Sequence, residues 1–315
     1  MKRLGLIFPG QGAQHPGMGQ ALWERFSSVR DVFARASDLL HRDLSQQCFE
    51  GTDDVLRETD VTQPALYVVG YAGWCALREL AGDGLTPVVG AGHSLGEYTA
   101  LAAAGALTFA DGLQLVAERG RLMHRAATIP GTMLAILGLS VEQVEAACVT
   151  ATRQSETGGV VVIANDNAPG QVVISGTPDA VALAGTAARD VGARRLIPLA
   201  TSGAFHSPLL EPVAKDFKRV IDATPLSRAA WPIIANSTAR KMQQPDDIRD
   251  ELSAQLCARV RWVESVRQIA ADQVGTLIEL GPGQVLSGLV RRIAPAIEVL
   301  SIGDGEGLDA AVAAL

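Results

Sequence analysis

The sequence predicts an α/β protein in two parts: a large domain on a parallel sheet, and a smaller ferredoxin-like domain inserted into it. Three observations point there. The 315 residues are 48% hydrophobic but only 4% aromatic and rich in alanine, the composition of helices packed closely on a sheet. Val88-Val89-Gly90-Ala91 enters the tight bend Gly92-His93-Ser94-Leu95-Gly96-Glu97, and an alanine-rich helical pattern leaves it from about Tyr98. From Gly131 the texture changes to strand, helix, strand, strand, helix, strand, the order of a ferredoxin-like unit.

Taken in order, Leu4 to Phe8 is a buried-strand pattern closed by Pro9-Gly10, and a glycine-rich loop from Gln11 to Gly19 leads into helical patterns through about Leu40. Thr59-Asp60-Val61-Thr62-Gln63-Pro64 reads as cap and entry for a helix over Ala65 to Leu80. Gly82-Asp83-Gly84 then turns the chain into the bend's strand. Thr108-x-x-Asp111 resembles a capping box opening a helix to about Ala127, with Leu113, Val116, Ala117, Gly120 and Met123 on one face and Arg119 at its edge.

The small domain is expected over 128–200, with 1–127 and 201–315 forming the large one and both crossings in loops. Its strands are Met133 to Leu137, Val160 to Ala164, Gln171 to Ser175 and Ala193 to Leu199. Its helices are Val141 to Ala151 and Pro178 to Val191, and Asn165 to Gly170 reads as a turn. Beyond it, Ile233 to Ser237 and Leu277 to Gly283 are strands running into loops. No internal repeat, low-complexity tract or coiled coil interrupts the pattern.

Several function classes are disfavoured. A net charge of −7 argues against a general nucleic-acid binder. Cys48, Cys75, Cys148 and Cys257 are scattered, without Cys-x-x-Cys or a Cys/His cluster, so neither a disulfide framework nor a zinc site is expected. The apolar run after Met1-Lys2-Arg3 ends at Pro9, too short for a signal peptide, and Thr99 to Ala110 falls short of a membrane span. A cytoplasmic monomer is the expectation. Gly10-Gln11-Gly12 lacks the third glycine and closing acid of a dinucleotide site, and Gly281-Pro282-Gly283 lacks the Lys-Ser/Thr of a phosphate loop.

The Gly-x-Ser-x-Gly bend carries the chemistry. A sharp turn with close strand–helix approach has no room for a side chain at Gly92 or Gly96. Ser94 then sits at the tip, near the positive end of the following helix, and the Leu95 amide is an orphan donor free to bind an oxyanion.

Gly92-His93-Ser94-Leu95-Gly96-Glu97, together with Phe8-Pro9-Gly10-Gln11-Gly12-Ala13-Gln14, resembles the malonyl-CoA:acyl-carrier-protein transacylase family of fatty-acid and polyketide synthesis. Matching stretches reach nearly to the C-terminus. The resemblance implies an α/β-hydrolase-like large domain and ping-pong acyl transfer from malonyl-CoA to the phosphopantetheine thiol of an acyl carrier protein, with no cofactor and no metal. Ser94 is the implied nucleophile and His206, in Gly203-Ala204-Phe205-His206-Ser207, the base. Gln11 lines the oxyanion hole opposite Leu95, and a backbone carbonyl at Gln255 orients the imidazole. Arg119, which spacing alone leaves as a solvated helical arginine, pairs by resemblance with the malonyl carboxylate, a task suited to its planar fork. Phe205 goes with malonyl rather than α-branched groups in the polyketide branch. Asn167 and Gln63 are candidate cleft residues for which a structural role serves equally well.

Two positions depart from the family pattern: Arg259 stands where proline is usual, and Thr201 where valine is. The alternatives are a hydrolase that clears acyl groups from carrier proteins, which the presence of Arg119 disfavours, a transferase for another acyl group, and a catalytically idle docking subunit. Lys215, Lys218 and Arg219 on one helical pattern, or Arg291-Arg292, are the basic clusters that an acidic carrier protein would meet.

Overall fold

Leu4 to Phe8 are all buried, and the strand they form, β1 (Arg3–Phe8), runs through the middle of a six-stranded sheet. The computed structural model describes residues 3–82, 85–126, 128–201, 203–303 and 306–313. After β1 come helices α1 (Gln20–Arg25), α2 (Ser27–Leu40), α3 (Leu44–Glu50), α4 (Asp53–Arg57) and α5 (Thr59–Ala81). Strand β2 (Val89–Gly92) follows, with α6 (Gly96–Ala103) and α7 (Phe109–Ala126). The chain then builds a second sheet from β3 (Thr132–Leu137), β4 (Val161–Ala168), β5 (Gln171–Gly176) and β6 (Arg195–Pro198), with α8 (Val141–Gln154) and α9 (Pro178–Asp190) between strands. It returns through α10 (Glu211–Ala223), β7 (Ile233–Ile234), β8 (Lys241–Met242), α11 (Pro245–Gln255) and α12 (Trp262–Ala271). Strand β9 (Val274–Glu279), α13 (Val285–Ile293), β10 (Glu298–Ser301) and α14 (Glu306–Ala313) complete the order.

The larger sheet has the order β10-β9-β1-β2-β7-β8 and is parallel except for its edge strand β8. Alternate residues of β1 face opposite sides: Leu6 and Phe8 join the core with α2, α5, α6 and α7, while Ile7 joins Trp262, Val266 and Leu289. Burial on both faces is why these strands read as unbroken apolar runs. The smaller sheet, β4-β5-β3-β6, is fully antiparallel, as a ferredoxin-like unit requires, and packs α8 and α9 over its own core.

Several boundaries differ from expectation. The helix expected from Ala65 starts at Thr59, with Pro64 inside it. Proline removes the amide that would bond the Asp60 carbonyl, and Arg42 Nη2 fills the gap at 3.1 Å, so the helix tolerates it. The segment expected to turn from Asn165 continues as strand to Ala168, paired to β5 through two register shifts and bridged to Val260 on its other side. Only Pro169-Gly170 turn. The helix after the bend begins at Gly96, not Tyr98. Of the turn Gly82-Asp83-Gly84, Asp83 and Gly84 lie outside the described residues, as do Ala127 and Ser202 near the expected domain crossings. No described helix is long and apolar enough to cross a membrane.

The bend itself is dictated by contact. Phe8 of β1 sits beside Gly92 of β2. A Cβ on Gly92 would lie 1.9 Å from the Gly96 carbonyl carbon, and one on Gly96 would lie 2.0 Å from the Phe8 oxygen. Between them Ser94 takes φ 50°, the left-handed region that costs a non-glycine residue about 1 kcal/mol or more. Two stability measurements test this. Gly96→Ala is expected to lose about 3 kcal/mol or more in urea unfolding, because backbone must move. Ser94→Gly is expected to exceed Ser94→Ala in stability by about 1 kcal/mol, since both lose the hydroxyl and only glycine relieves the φ strain. The usual order, alanine above glycine, would contradict a strained Ser94.

Candidate active site

The carboxyl ends of the central parallel strands are where an open α/β sheet offers a crevice, and β1 and β2 deliver Gln11 and Ser94 there. Ser94 Oγ lies 2.8 Å from His206 Nε2 and 3.0 Å from Arg119 Nη2. His206, itself at φ 55° and 5% exposed, turns Nδ1 to two backbone carbonyls, Gln255 O at 3.1 Å and Ala258 O at 3.0 Å. Carbonyls only accept, so Nδ1 carries the proton and Nε2 of the neutral ring is left to accept from the Ser94 hydroxyl. Burial, followed by the Arg119 charge and His93, pushes the His206 pKa down to about 3, against the two carbonyls that raise it. The ring is therefore neutral and able to take a proton at any ordinary pH.

Arg119 is 1% exposed, not the solvated helical arginine that spacing alone leaves. Its Nη1 donates to Gln63 Oε1 at 2.8 Å and its Nη2 to Gln255 Oε1 at 3.1 Å as well as to Ser94. The guanidinium carbon lies 5.3 Å from the centroid of the Tyr98 ring, and Nε has no partner. Among the described residues no carboxylate stands at ion-pair distance from it. Burial lowers its pKa, but a guanidinium remains cationic at neutral pH.

A network of buried side chains sets these groups in place. Asn236 Oδ1 accepts from the Ser94 amide at 2.7 Å while its Nδ2 donates to the Gly92 carbonyl at 2.7 Å. The fully buried Glu97 accepts from the Asn236 amide and from Gln255 Nε2, which also donates to the Ser94 carbonyl at 3.0 Å. Burial, with Glu251 nearby, holds the Glu97 carboxyl well above the ordinary range.

The remaining expected residues are placed as follows. The Leu95 amide has no acceptor among the described residues, and Gly10 packs against it, where a Cβ would fall 3.6 Å from Leu95 N. The Gln11 side chain turns to Thr59, Nε2 to Oγ1 at 3.4 Å, and its backbone amide is also without an acceptor among the described residues. Asn167 Oδ1 meets His93 Nε2 at 2.8 Å, and His93 packs on Trp262, turned away from Ser94. Phe205 is buried in the main core beside His206.

The model of the acyl transferase domain matches residues 6–297. The chain belongs to this family. It is an acyltransferase. It is 41% identical to the malonyl CoA-acyl carrier protein transacylase of Bacillus subtilis, over 100% of this chain and 98% of that one. A crystal structure of an acyl carrier protein S-malonyltransferase from Vibrio cholerae superposes with a TM-score of 0.93 at 39% identity, covering 98% of this chain and 99% of its own. A type II polyketide-synthase acyl-carrier protein in complex with its malonyl-transacylase gives 0.94 at 38% identity, with 99% of this chain and 100% of that chain covered.

In this acyltransferase, Ser94, His206, Arg119, Gln63 and Gln255 converge on one point. The sequence reading passed over Asn236, Glu97 and the Ala258 carbonyl. Glu97 stood in the quoted motif and Asn236 at a strand's end, but nothing local tied them together. The depressed His206 pKa sets a pH expectation. Protonation would remove the base only as pH falls through that low value. The kcat/KM for acyl transfer is therefore expected to hold level from pH 8 down to about 5.5. An acid limb with its midpoint near the ordinary value of about 6.5 would show that the ring titrates freely.

Proposed function

We propose that this acyltransferase moves a malonyl group from malonyl-CoA to the phosphopantetheine thiol of an acyl carrier protein, through an ester on Ser94. The observation that carries the reading is Arg119: a cation buried with neutral partners, 3.0 Å from the Ser94 oxygen. Such a charge is costly until a carboxylate joins it. An acyl group on Ser94 whose own carboxylate lies one carbon beyond the carbonyl brings that partner to the guanidinium. The names of the relatives, malonyl transacylases acting with acyl carrier protein, agree.

His206 Nε2 takes the Ser94 proton as Oγ attacks the thioester carbonyl. Negative charge on the tetrahedral oxygen falls to donors with no other acceptor, the amides of Leu95 and Gln11. The Gln11 side chain is engaged with Thr59, so its part in the hole falls to its backbone. The carbon–sulfur bond then breaks and the CoA thiolate leaves with the proton from His206. The carrier's thiol enters by the same steps in reverse. Phe205 supplies bulk against a branch on the acyl α-carbon. The chemistry calls for no metal and no redox group.

The carrier would meet α13 rather than α10. On α10, Lys218 pairs with Asp222 and Arg219 with Asp216, which leaves Lys215 as that cluster's one cation without an ion-pair partner among the described residues. On α13, Arg291 is exposed without an ion-pair partner among the described residues, and Arg292 bonds the neutral Gln171 and the Pro169 carbonyl. Arg291→Glu is expected to raise the KM for carrier protein roughly five- to tenfold while leaving that for malonyl-CoA alone. Equal KM values for carrier in mutant and wild type would remove α13 from the interface.

The substrate assignment rests on a ratio. Removing one partner of a desolvated charge pair costs about 2–5 kcal/mol, so Arg119→Ala is expected to lower kcat/KM for malonyl-CoA by roughly 30- to 4,000-fold. Transfer from acetyl-CoA, which has no carboxylate to lose, should change little, and Arg119→Lys should recover part of the loss. A parallel fall of both substrates would mean that Arg119 supports the site without reading the acyl group.

A further inference from the structure

Strand β4 of the small sheet reaches both arms of the site. Asn167 holds His93, next to Ser94, and Asp166 meets Arg259, next to Ala258. Arg259 Nη2 lies 3.0 Å from Asp166 Oδ2, with the two side chains 17% and 6% exposed, and Glu145 stands farther off at 3.9 Å. Two backbone bonds flank the pair: Asp166 N to Val260 O at 2.9 Å and Val260 N to Ala164 O at 2.8 Å. Among the described residues, the Arg259–Asp166 contact is the one hydrogen bond made by a side chain of residues 256–260. That segment leaves α11 without regular structure, so its course depends on what ties it down.

One of the two carbonyls on His206 Nδ1 belongs to this segment. The Ala258 carbonyl and the Arg259 amide share a single planar peptide, so the direction of one follows the placement of the other. We propose that the Arg259–Asp166 ion pair is a positioning element for the base, fixing the peptide between Ala258 and Arg259 so that the Ala258 carbonyl stays on His206 Nδ1. The proposal rests on the reading of Ser94 as nucleophile and His206 as base. Without the tie, the Ala258 carbonyl swings away, the ring is held by Gln255 alone, and Nε2 spends less time aimed at the Ser94 hydroxyl. Arg259 and Asp166 touch no substrate in this account; they act through His206.

The test is pre-steady-state reaction of Ser94 in the full-length enzyme with two reagents. Malonyl-CoA reports acylation. Diisopropyl fluorophosphate reports the same dyad without needing a carboxylate: the Ser94 oxygen bonds phosphorus, fluoride leaves, and His206 takes the proton. Arg259→Ala is expected to slow both reactions about tenfold, a fraction of the roughly 10²–10⁴-fold that a positioned base supplies. The KM for malonyl-CoA should stay within about twofold. Arg259→Lys should restore most of the rate, because the contact to Asp166 is through a single nitrogen and an ammonium can make it.

Arg259→Ala also strands a buried carboxylate and so destabilises the fold. The double variant Arg259→Ala/Asp166→Asn separates the two effects, since it removes both charges. Its melting temperature should return toward that of wild type while both reactions stay about tenfold slow, a split that a purely structural role would not produce. Rates within about twofold of wild type in Arg259→Ala, or rates that recover together with stability in the double variant, would overturn the proposal. A wild type that reacts with the fluorophosphate but not with malonyl-CoA would contradict the malonyl reading instead, and the fluorophosphate rates would still decide the ion pair.

Discussion

A guanidinium buried with no carboxylate beside it is the constraint around which the site is arranged. Arg119 donates to Gln63, Ser94 and Gln255, all neutral, and stacks over Tyr98. Hydrogen bonds of this kind satisfy donors, but they leave a full positive charge in a dry place. Glu97 is the acid linked to this cluster, and it meets the guanidinium only indirectly, through Gln255 and through Asn236 and Ser94. The site is thus built one negative charge short, and in the proposed reaction an acidic acyl group would supply it. The same charge also helps to hold the His206 pKa down, which keeps the imidazole unprotonated while the site is empty. The charge proposed to read the acyl group also keeps the imidazole unprotonated.

That arrangement depends on contacts far apart in the chain. Asn236 grips the bend from both sides, at the Gly92 carbonyl and the Ser94 amide, and Glu97 grips Asn236 across 139 residues of sequence. Gln255 reaches the guanidinium and the Ser94 carbonyl with its side chain and His206 with its own carbonyl. Each of these residues holds two or more partners, so the backbone strain at Ser94 and His206 is opposed from several directions. In the proposed reaction the rate advantage would follow from preorganisation, with donors and base in position before substrate arrives.

How much of this was legible in the sequence follows from the range of the interactions. Ser94 with its flanking glycines is a local device, and turn sterics betray it. The small domain's strand–helix order is likewise local, so its topology was readable. The burial of Arg119 was not, because helical spacing reports one helix's own periodicity. That burial comes from α5, α6 and α11 converging on α7. Helix α5 starts before the proline that its sequence offers as an entry point, because Arg42 satisfies the carbonyl that Pro64 orphans. Strand β4 ran on past Asn165 because Val260 pairs with its outer side. The roles of Asn236 and Glu97 became visible only when the fold joined them.

An acyl-enzyme at Ser94 that awaits a carrier is the central intermediate of the proposed reaction. Intact-mass analysis of the protein mixed with malonyl-CoA tests this most directly, first without and then with holo-acyl carrier protein. The expected result is a single malonyl adduct that persists without carrier, is discharged onto the carrier's thiol when it is added, and is absent from Ser94→Ala. An adduct of equal yield on Ser94→Ala would contradict the nucleophile, and rapid release of free malonate without carrier would show a hydrolase in place of a transferase.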